Sequence, residues 1–418
     1  MDDRGKPREV TEIAGSYELR AMRPDELEPY LDALGRAFGE VLSNEVVAAE
    51  REVFEPDRFL AVVTRDGAIV GTAGAVTFDL AMPGSATVGC AGVTVVSVRQ
   101  DHRRRGLLTR MMRRLLDDAR ERREPLAALW ASEGAIYGRY GFGPGIPLLE
   151  LRVPRAQLRL RAPVPPTGVE VIEPEVALER IPPLYDRARR DRSGMLSRHE
   201  GWWRYLLVHD PPDERDGAGP RTIAVLPDGG YVAYRLKPRW QEGVPQATVQ
   251  VEELLALHPE ATATLWSYLA ATDLATTIRA PARPIDDPLA SLVIDGTQVR
   301  ASRFSPVYLR ILDVAAALEA RHYLVDGQLT LAVDDPMYAE VSGTYHLEVA
   351  DGQARCERGS GPADLRLGIE ELSTVLLGAV PPRVLADARR IEQVTAGAVD
   401  RLGLLLTAPV APWQPSEF

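Results

Sequence analysis

The stretch that decides the fold is "VTVVSVRQDHRRRGLLTRMMRRLL", residues 93–116, in which an apolar strand pattern runs directly into an amphipathic helix pattern. A helix that starts there leaves its first amides unpaired and partly positive, so the turn attracts an anion. Gly106 lets the backbone approach a ligand, and Arg103, Arg104 and Arg105 add donors that suit phosphate. A solvated basic helix face or a nucleic-acid patch would not need the glycine. The turn therefore predicts a phosphate site.

Composition narrows the class of protein. The chain has 418 residues, 45% hydrophobic and 26% charged, with a net charge of -11. Because domains usually have ~100–200 residues, we expect three domains, and an acidic chain is a poor general partner for nucleic acid. The charged N-terminus and the lack of ~20 consecutive apolar residues predict no signal peptide and no membrane span. Two distant cysteines and six scattered histidines predict a cytoplasmic protein without a metal.

The quoted stretch lies within an alternating series of strands and helices. From residue 16 to residue 153 the order β-α-β-β-β-α-β-α-β predicts a mixed α/β domain, which ends before the Pro-rich "RAPVPPTG" at 161–168. A weaker copy, "ATVQVEELLALHPEATATLWSYLA" at 247–270, has "PEAT" where the first has "RRRG". We predict two related domains with mixed sheets, 1–160 and 161–303, and only the first keeps the anion site. An α+β domain follows at 304–418, and we expect it to open with a helix in "VYLRILDVAAALEARHY".

Two motifs carry a resemblance to a known family. "HRRRGLL" at 102–108 and "ASEGAIYGRYGFGP" at 131–144 resemble the enhanced intracellular survival (Eis) acetyltransferases of the GCN5-related N-acetyltransferase superfamily. In the superfamily's shorter pyrophosphate pattern Arg103 and Gly106 match, while Leu108 replaces a small residue. "VYLRILDVAAALEARHY" and the closing "SEF" extend the resemblance over nearly the whole chain. It implies a catalytic acetyltransferase domain, a degenerate second copy and a domain similar to sterol carrier proteins.

The resemblance also implies where the cosubstrate acetyl-coenzyme A (acetyl-CoA) binds. Its pantetheine would lie along Val96, Ser97 and Val98 like an added strand. Ser132 and Glu133, after the next strand, would flank the thioester. The pyrophosphate would sit on the amides of the basic turn: Arg104, Arg105, Gly106, Leu107, Leu108 and Thr109.

Acetyl transfer to an amine needs an acid for the departing thiolate. A tyrosine serves, because its pKa of ~10 lies above the ~8.5 of a thiol. The family's acid is the tyrosine of "IYGR", here Tyr137, and Tyr140 is the alternative on nearly the same face. The resemblance also puts the C-terminal carboxylate of Phe418 in the active site as the general base. Since its pKa is ~3.5, either burial raises that value or the group holds the ammonium while water carries the proton.

Two acidic residues, Glu40 and Glu417, match acidic positions of the family's acceptor pocket, whereas "VVAAEREVFEPDRF" at 46–59 shows no match to its aromatic lining. The resemblance thus implies a homo-hexamer that acetylates amines of polycationic small molecules such as aminoglycosides. Two other functions stay open. A protein or peptide lysine acetyltransferase would need an open groove, and a non-catalytic lipid or ligand carrier would use the third domain alone.

Overall fold

The computed structural model of the chain describes residues 11–13 and 17–418. The charged segment at residues 1–10, on which the prediction of no signal peptide rests, lies outside the described residues. Within them, no helix combines the length and the apolar character needed to cross a membrane. The helices and strands form three successive units, of which the first two share one sheet.

The first unit is an antiparallel meander that continues into a parallel pair of strands. Its strands are Thr11–Ile13 (β1), Tyr17–Ala21 (β2), Phe59–Thr64 (β3), Ile69–Ala81 (β4), Thr87–Val98 (β5), Leu126–Trp130 (β6) and Gly143–Pro154 (β7). Its helices are Leu27–Phe38 (α1), Asn44–Glu50 (α2) and Leu107–Glu121 (α3). The predicted order omitted β1 and α2, both too short to show a period. The short helix predicted around Tyr137 is two 3-10 turns, Gly134–Ile136 and Gly138–Tyr140.

The second unit repeats the parallel strand pair and its crossing helix. Its strands are Glu170–Ile172 (β8), Thr222–Leu226 (β9), Gly230–Lys237 (β10), Trp240–Gln241 (β11), Val244–Pro245 (β12), Ala247–Ala256 (β13) and Ala275–Pro284 (β14). Its helices are Pro174–Arg180 (α4), Pro182–Asp191 (α5), Glu200–Leu207 (α6), Pro259–Ala270 (α7) and Leu289–Leu292 (α8). Strand β13 runs parallel to β14, as β5 does to β6, and α7 connects the pair.

One strand corrects the sequence prediction. Residues Arg300–Ile311 form a strand (β15) that lies between β6 and β7, so the helix expected across 307–323 begins only at Val314–Glu319 (α9). Val307, Leu309 and Ile311 are buried, and these aliphatic residues recur at every second position, which is a strand period. The alanine-rich residues after them masked this signal. Strand β15 also crosses the predicted boundary between residues 303 and 304.

The third unit is a small α+β layer. Its strands are Gly327–Asp334 (β16), Gly343–Ala350 (β17), Gln353–Gly359 (β18), Leu365–Gly368 (β19) and Ile391–Gln393 (β20), in the sheet order β18-β17-β16-β19-β20. Its further helices are Ile369–Val375 (α10), Pro382–Asp387 (α11) and Ala398–Leu405 (α12). A buried ion pair, Arg310 to Asp335 at 2.5 Å, fixes β15 of the large sheet to this unit.

In the described residues the large sheet has the order β1-β2-β3-β4-β5-β6-β15-β7-β14-β13-β10-β9-β8. Strand β7 connects its two halves, because it pairs with β15 over residues 143–152 on one side and with β14 over residues 148–154 on the other. Two parallel strand pairs separate in this sheet, β5 from β6 and β13 from β14, and each separation leaves a cleft.

Candidate active site

Strands β5 and β6 separate where the predicted donor site begins. Their parallel pairing ends at Val93 and Leu129. On its other side β5 stays paired with β4, and a bulge at Val95, with a φ of 48°, turns the strand end. In the described part of the chain no strand pairs with the edge of Val96, Ser97 and Val98 that faces β6. The backbone groups of that edge can therefore bind an extended ligand.

The backbone amides at the start of α3, in the basic turn, are not capped by a side chain. Gly106 is the N-cap of α3 with a φ of 75°, and it has no side chain that could cap the amides of Leu107, Leu108 and Thr109. Two of the arginines brace the turn: Arg103 donates to the carbonyl of Val98 at 3.1 Å, and Arg105 donates to that of Asp101 at 3.0 Å. These uncapped amides, together with the helix dipole, form an anion site.

Tyr137 lies just beyond β6, between the two 3-10 turns. Its side chain is buried, and its ring meets that of Phe142 edge to face at 6.3 Å. Burial raises the pKa of the Tyr137 hydroxyl, while a hydrogen bond with the exposed Ser132 acts in the opposite direction. Glu133, also exposed, lies beside Ser132 at the mouth of the cleft. A phenol in this setting keeps its proton at neutral pH and can donate it.

Tyr140 has a different environment. Its hydroxyl lies 3.2 Å from Oγ1 of Thr109 in the first turn of α3, and the guanidinium of Arg139 covers its ring at 5.3 Å. The two tyrosines therefore point to different partners, Tyr137 to Ser132 and Tyr140 to the basic turn. This geometry favours Tyr137 for chemistry at the thioester and gives Tyr140 a bracing contact.

Residues 411–418 cross the second unit and reach the first. The indole N–H of Trp413 donates to the carbonyl of Ala282 at 2.6 Å, and Arg198 donates to Oγ of Ser416 at 2.9 Å. The ring of Phe418 then packs edge to face on Phe78 of β4, with centroids 5.6 Å apart. The end of the sequence thus lies against the sheet that carries the donor strand.

A pocket of about 350 Å³ opens between Phe418 and the end of β5. Phe54 and Phe59, from the segment 46–59 that does not match the family's pattern, belong to its aromatic walls, and α6 adds two more aromatic residues. Sequence reasoning overlooked α6, although "EGWWRYLL" carries three aromatic residues on one helix. The pocket is lined by Glu50, Val53, Phe54, Phe59, Val76, Thr94, Val95, Trp202, Tyr205, Leu206, Ser416, Glu417 and Phe418.

Two carboxyl groups make the pocket acidic. The hydroxyl of Tyr205 donates to Glu50 at 3.2 Å, and among residues 17–418 no ion pair neutralises this glutamate. Burial raises the pKa of Glu50 to about 7, and the nearby Glu214 adds to the rise. Burial also raises the pKa of Glu417, although that side chain keeps solvent access. Glu50 was not a candidate from sequence, since a lone glutamate on a short helix carries no signal.

The other predicted acidic residue lies apart. Glu40 is exposed and does not line the pocket, although its charge helps to raise the pKa of Glu214. The acidic residue that this part of the chain contributes to the pocket is Glu50 of α2, ten residues later. The described residues contain no group of His, Cys, Asp and Glu arranged to hold a metal ion.

The second unit presents no comparable anion site. Helix α7 has Pro259 at its first position, and the N-cap His258 accepts a hydrogen bond from the amide of Ala261 at 3.2 Å. The amides that would cradle a phosphate are thus partly absent and partly capped. This agrees with the change from "RRRG" to "PEAT" in the sequence.

Family models match three parts of the chain: an acetyltransferase (GNAT) domain at residues 18–145, a second one at 194–311, and a sterol carrier protein domain at 314–415. This confirms the predicted fold class, and the GNAT fold implies acetyl-CoA as cosubstrate.

Full-length relatives extend the match. An N-acetyltransferase of Streptomyces avermitilis is 39% identical over 96% of this chain and 99% of its own. The N-acetyltransferase Eis of Mycobacterium bovis is 32% identical over 91% and 94%. The crystal structure of Eis1 from Mycobacterium abscessus has a TM-score of 0.84 at 28% identity, covering 96% of this chain and 100% of that one.

Proposed function

The chain belongs to the Eis family of GCN5-related N-acetyltransferases, and on that premise we propose that it acetylates amines of polycationic small molecules such as aminoglycosides. The observation that carries the proposal is the acidic, aromatic pocket at the end of the donor strand. Glu417 and, in its ionised form, Glu50 supply negative charge, and a bound cation would favour the ionised form of both; aromatic faces such as Trp202 also favour cations. The pocket borders Thr94 and Val95, so an amine held there lies next to the predicted thioester.

The donor side rests on backbone geometry. We assign the pantetheine to the unpaired edge of Val96, Ser97 and Val98, and the thioester to the mouth formed by Ser132 and Glu133. The pyrophosphate belongs on the amides from Arg104 to Thr109. The separation of β5 from β6 and the uncapped start of α3 support this assignment.

In the reaction the acceptor ammonium loses two protons and the departing sulfur gains one, so one proton is released overall. A neutral amine attacks the thioester carbon, and the tetrahedral intermediate then loses a proton from its nitrogen and breaks its carbon–sulfur bond. We assign the proton for the departing thiolate to Tyr137, because a buried phenol holds its proton more tightly than a thiol does. The carboxylate at Phe418 is the group we assign to the proton of the acceptor ammonium, either directly or through water.

Two observations weigh against the other functions. A lysine acetyltransferase acting on proteins needs an open groove, whereas the acceptor site is a pocket walled by residues 416–418. A lipid carrier needs an apolar cavity, and one pocket on the third unit's sheet is lined mainly by polar groups, among them Thr330, His346 and Glu348.

We also propose, on the family resemblance, a homo-hexamer in the cytoplasm. The domain division 1–160, 161–303 and 304–418 stays a proposal, with β15 completing the sheet of the first unit across the last boundary.

A thiol-release assay tests the proposed function. With acetyl-CoA as donor, aminoglycosides and polyamines should give kcat/KM values at least ~10-fold above those of monoamines of similar size. Lysine peptides, assayed in the same way, test the competing function of a protein or peptide lysine acetyltransferase. Preferred turnover of peptides would replace the proposed acceptor class, and no thiol release with any amine would overturn the proposal.

A further inference from the structure

The second unit contains a cleft that matches the donor cleft of the first in register. The parallel pairing of β13 and β14 ends at Gln250 and Arg279, as that of β5 and β6 ends at Val93 and Leu129. Two residues further on, each leading strand has a bulge, at Val95 in β5 and at Glu252 in β13. Positions in the two clefts can therefore be matched by counting from the last pair.

In the second cleft, the position that corresponds to the predicted thioester site is occupied by the side chain of Trp413. Three residues after the last pair, Ala282 corresponds to Ser132, and its carbonyl accepts the hydrogen bond from the indole of Trp413 at 2.6 Å. The next residue, Arg283, donates to the carbonyl of Leu254 across the cleft and covers the Trp413 ring at 5.2 Å. By the same count Leu254 corresponds to Ser97 of the donor strand. The backbone positions that frame the donor in the first unit thus fix Trp413 in the second.

Both sides of Trp413 are also bound to the second unit. Its backbone amide donates to the carbonyl of Ser193 at 2.9 Å, and the amide of Leu196 donates to the Gln414 side chain at 3.1 Å. Arg198 donates to Ser416 and forms a buried ion pair, at 2.6 Å, with Glu253 of β13. Residues 413–416 therefore follow the 193–198 segment along the cleft.

An irregular segment of this length loses much conformational entropy on ordering. The contacts at Ala282, Ser193, Leu196 and Arg198 offset that loss immediately before Glu417. They bring Glu417 and Phe418 to the pocket, where the ring of Phe418 packs on Phe78 of the first unit.

We propose that the second unit binds the chain's own segment 411–418 in the cleft where the first unit binds its cosubstrate, with Trp413 as the positioning residue for Glu417 and Phe418. The role given to these two residues rests on the proposed function. The second unit thus binds a segment of its own chain where the first unit binds acetyl-CoA. By doing so it positions Glu417 and Phe418 at the active site of the first unit.

Hydrogen–deuterium exchange of the peptide 411–418 tests the binding without relying on activity. In Trp413→Ala we expect exchange at least ~10-fold faster and kcat/KM for the amine about 10²-fold lower, with the Kd of acetyl-CoA unchanged. Added indole should restore part of both values by filling the site. Trp413→Phe keeps a ring without the N–H and should give an intermediate result. Trp266→Phe, in the core of the same unit, is the matched control and should leave peptide 411–418 unchanged.

The outcomes separate this proposal from the proposed function. Wild-type exchange of peptide 411–418 in folded Trp413→Ala would overturn the proposal. Faster exchange with wild-type turnover would overturn the positioning role and the part given to Phe418, while acetyl transfer itself would stand. If the Trp266→Phe control also lost turnover, the effect of Trp413→Ala would reflect a general loss of stability. That result would also overturn the positioning role of Trp413.

Discussion

The ring of Phe418 meets the ring of Phe78 edge to face, with centroids 5.6 Å apart. Both rings lie over Gly92 of β5, where an added Cβ would come within 3.2 Å of Phe418 and 2.4 Å of Phe78. Such a pair contributes about 0.5–1.5 kcal/mol beyond its buried area. The glycine thus lets the end of the sequence rest on the donor strand, two residues before Thr94 at the acceptor pocket.

Extending the chain beyond Phe418 should abolish turnover. A few added residues keep a terminal carboxylate but move it out of hydrogen-bond reach of the acceptor amine, so we expect kcat to fall by at least ~10². The measurement is steady-state acetylation by two proteins that carry the same tag at either end. Melting temperature and acetyl-CoA affinity should be the same for both, and equal turnover would remove Phe418 from the mechanism.

Tyr137→Phe should lower kcat by ~10²–10⁴ with little change in donor binding. The substitution removes one buried hydroxyl and preserves the ring contact with Phe142. Tyr140→Phe is the matched control, because it removes the other hydroxyl, which faces Thr109. A large loss in the control alone would transfer the acid role to Tyr140.

The chain should bind one acetyl-CoA, in the first unit. We expect calorimetric titration to give a stoichiometry of one, because "PEAT" and the capped α7 leave no second phosphate site. Gly106→Ala should raise the Kd by about 5-fold or more, since a φ of 75° strains any residue with a Cβ. Gly397→Ala is the control: that N-cap of α12 has a φ of 77° and should lose similar stability without affecting donor binding. Two bound molecules per chain would refute the assignment.

The titration of Glu50 should make stability depend on pH. Burial raises its pKa from 4.5 to about 7, so the folded state binds the proton more tightly than the unfolded state does. The free energy of unfolding therefore falls as pH rises from about 4.5 to about 7. Glu214 opposes its ionisation, the hydrogen bond from Tyr205 favours it, and Glu417 lines the same pocket.

Glu50→Gln removes this titration. From pH 5 to pH 8 it should gain about 1–3 kcal/mol in the free energy of unfolding relative to the wild type, as measured by urea denaturation. Glu45→Gln, exposed at the start of the same helix, should show no such gain. Parallel pH profiles for the wild type and Glu50→Gln would show that Glu50 ionises with an ordinary pKa.

The helix and strands around the donor site could be predicted from local sequence patterns. The strand before Arg99, the turn at Gly106 and the amphipathic helix after it all follow from short-range patterns, because strand and helix periods and a left-handed glycine are local properties. Strand β15 was mispredicted, since its alternation at Val307, Leu309 and Ile311 merges into an alanine-rich helix. Its place between β6 and β7 depends on pairing with residues 148 to 185 positions away.

By itself the sequence determined the fold class, the loss of the second anion site and, through the family resemblance, the candidates Tyr137, Glu417 and Phe418. Only the tertiary structure decided what surrounds them. Glu50, Phe54, Tyr205 and Phe418 come from three distant parts of the chain, and no period in sequence connects them. Their proximity, and the binding of Trp413 at Ala282, follow from how strands separate and pack in space, which long-range contacts set and local patterns do not encode.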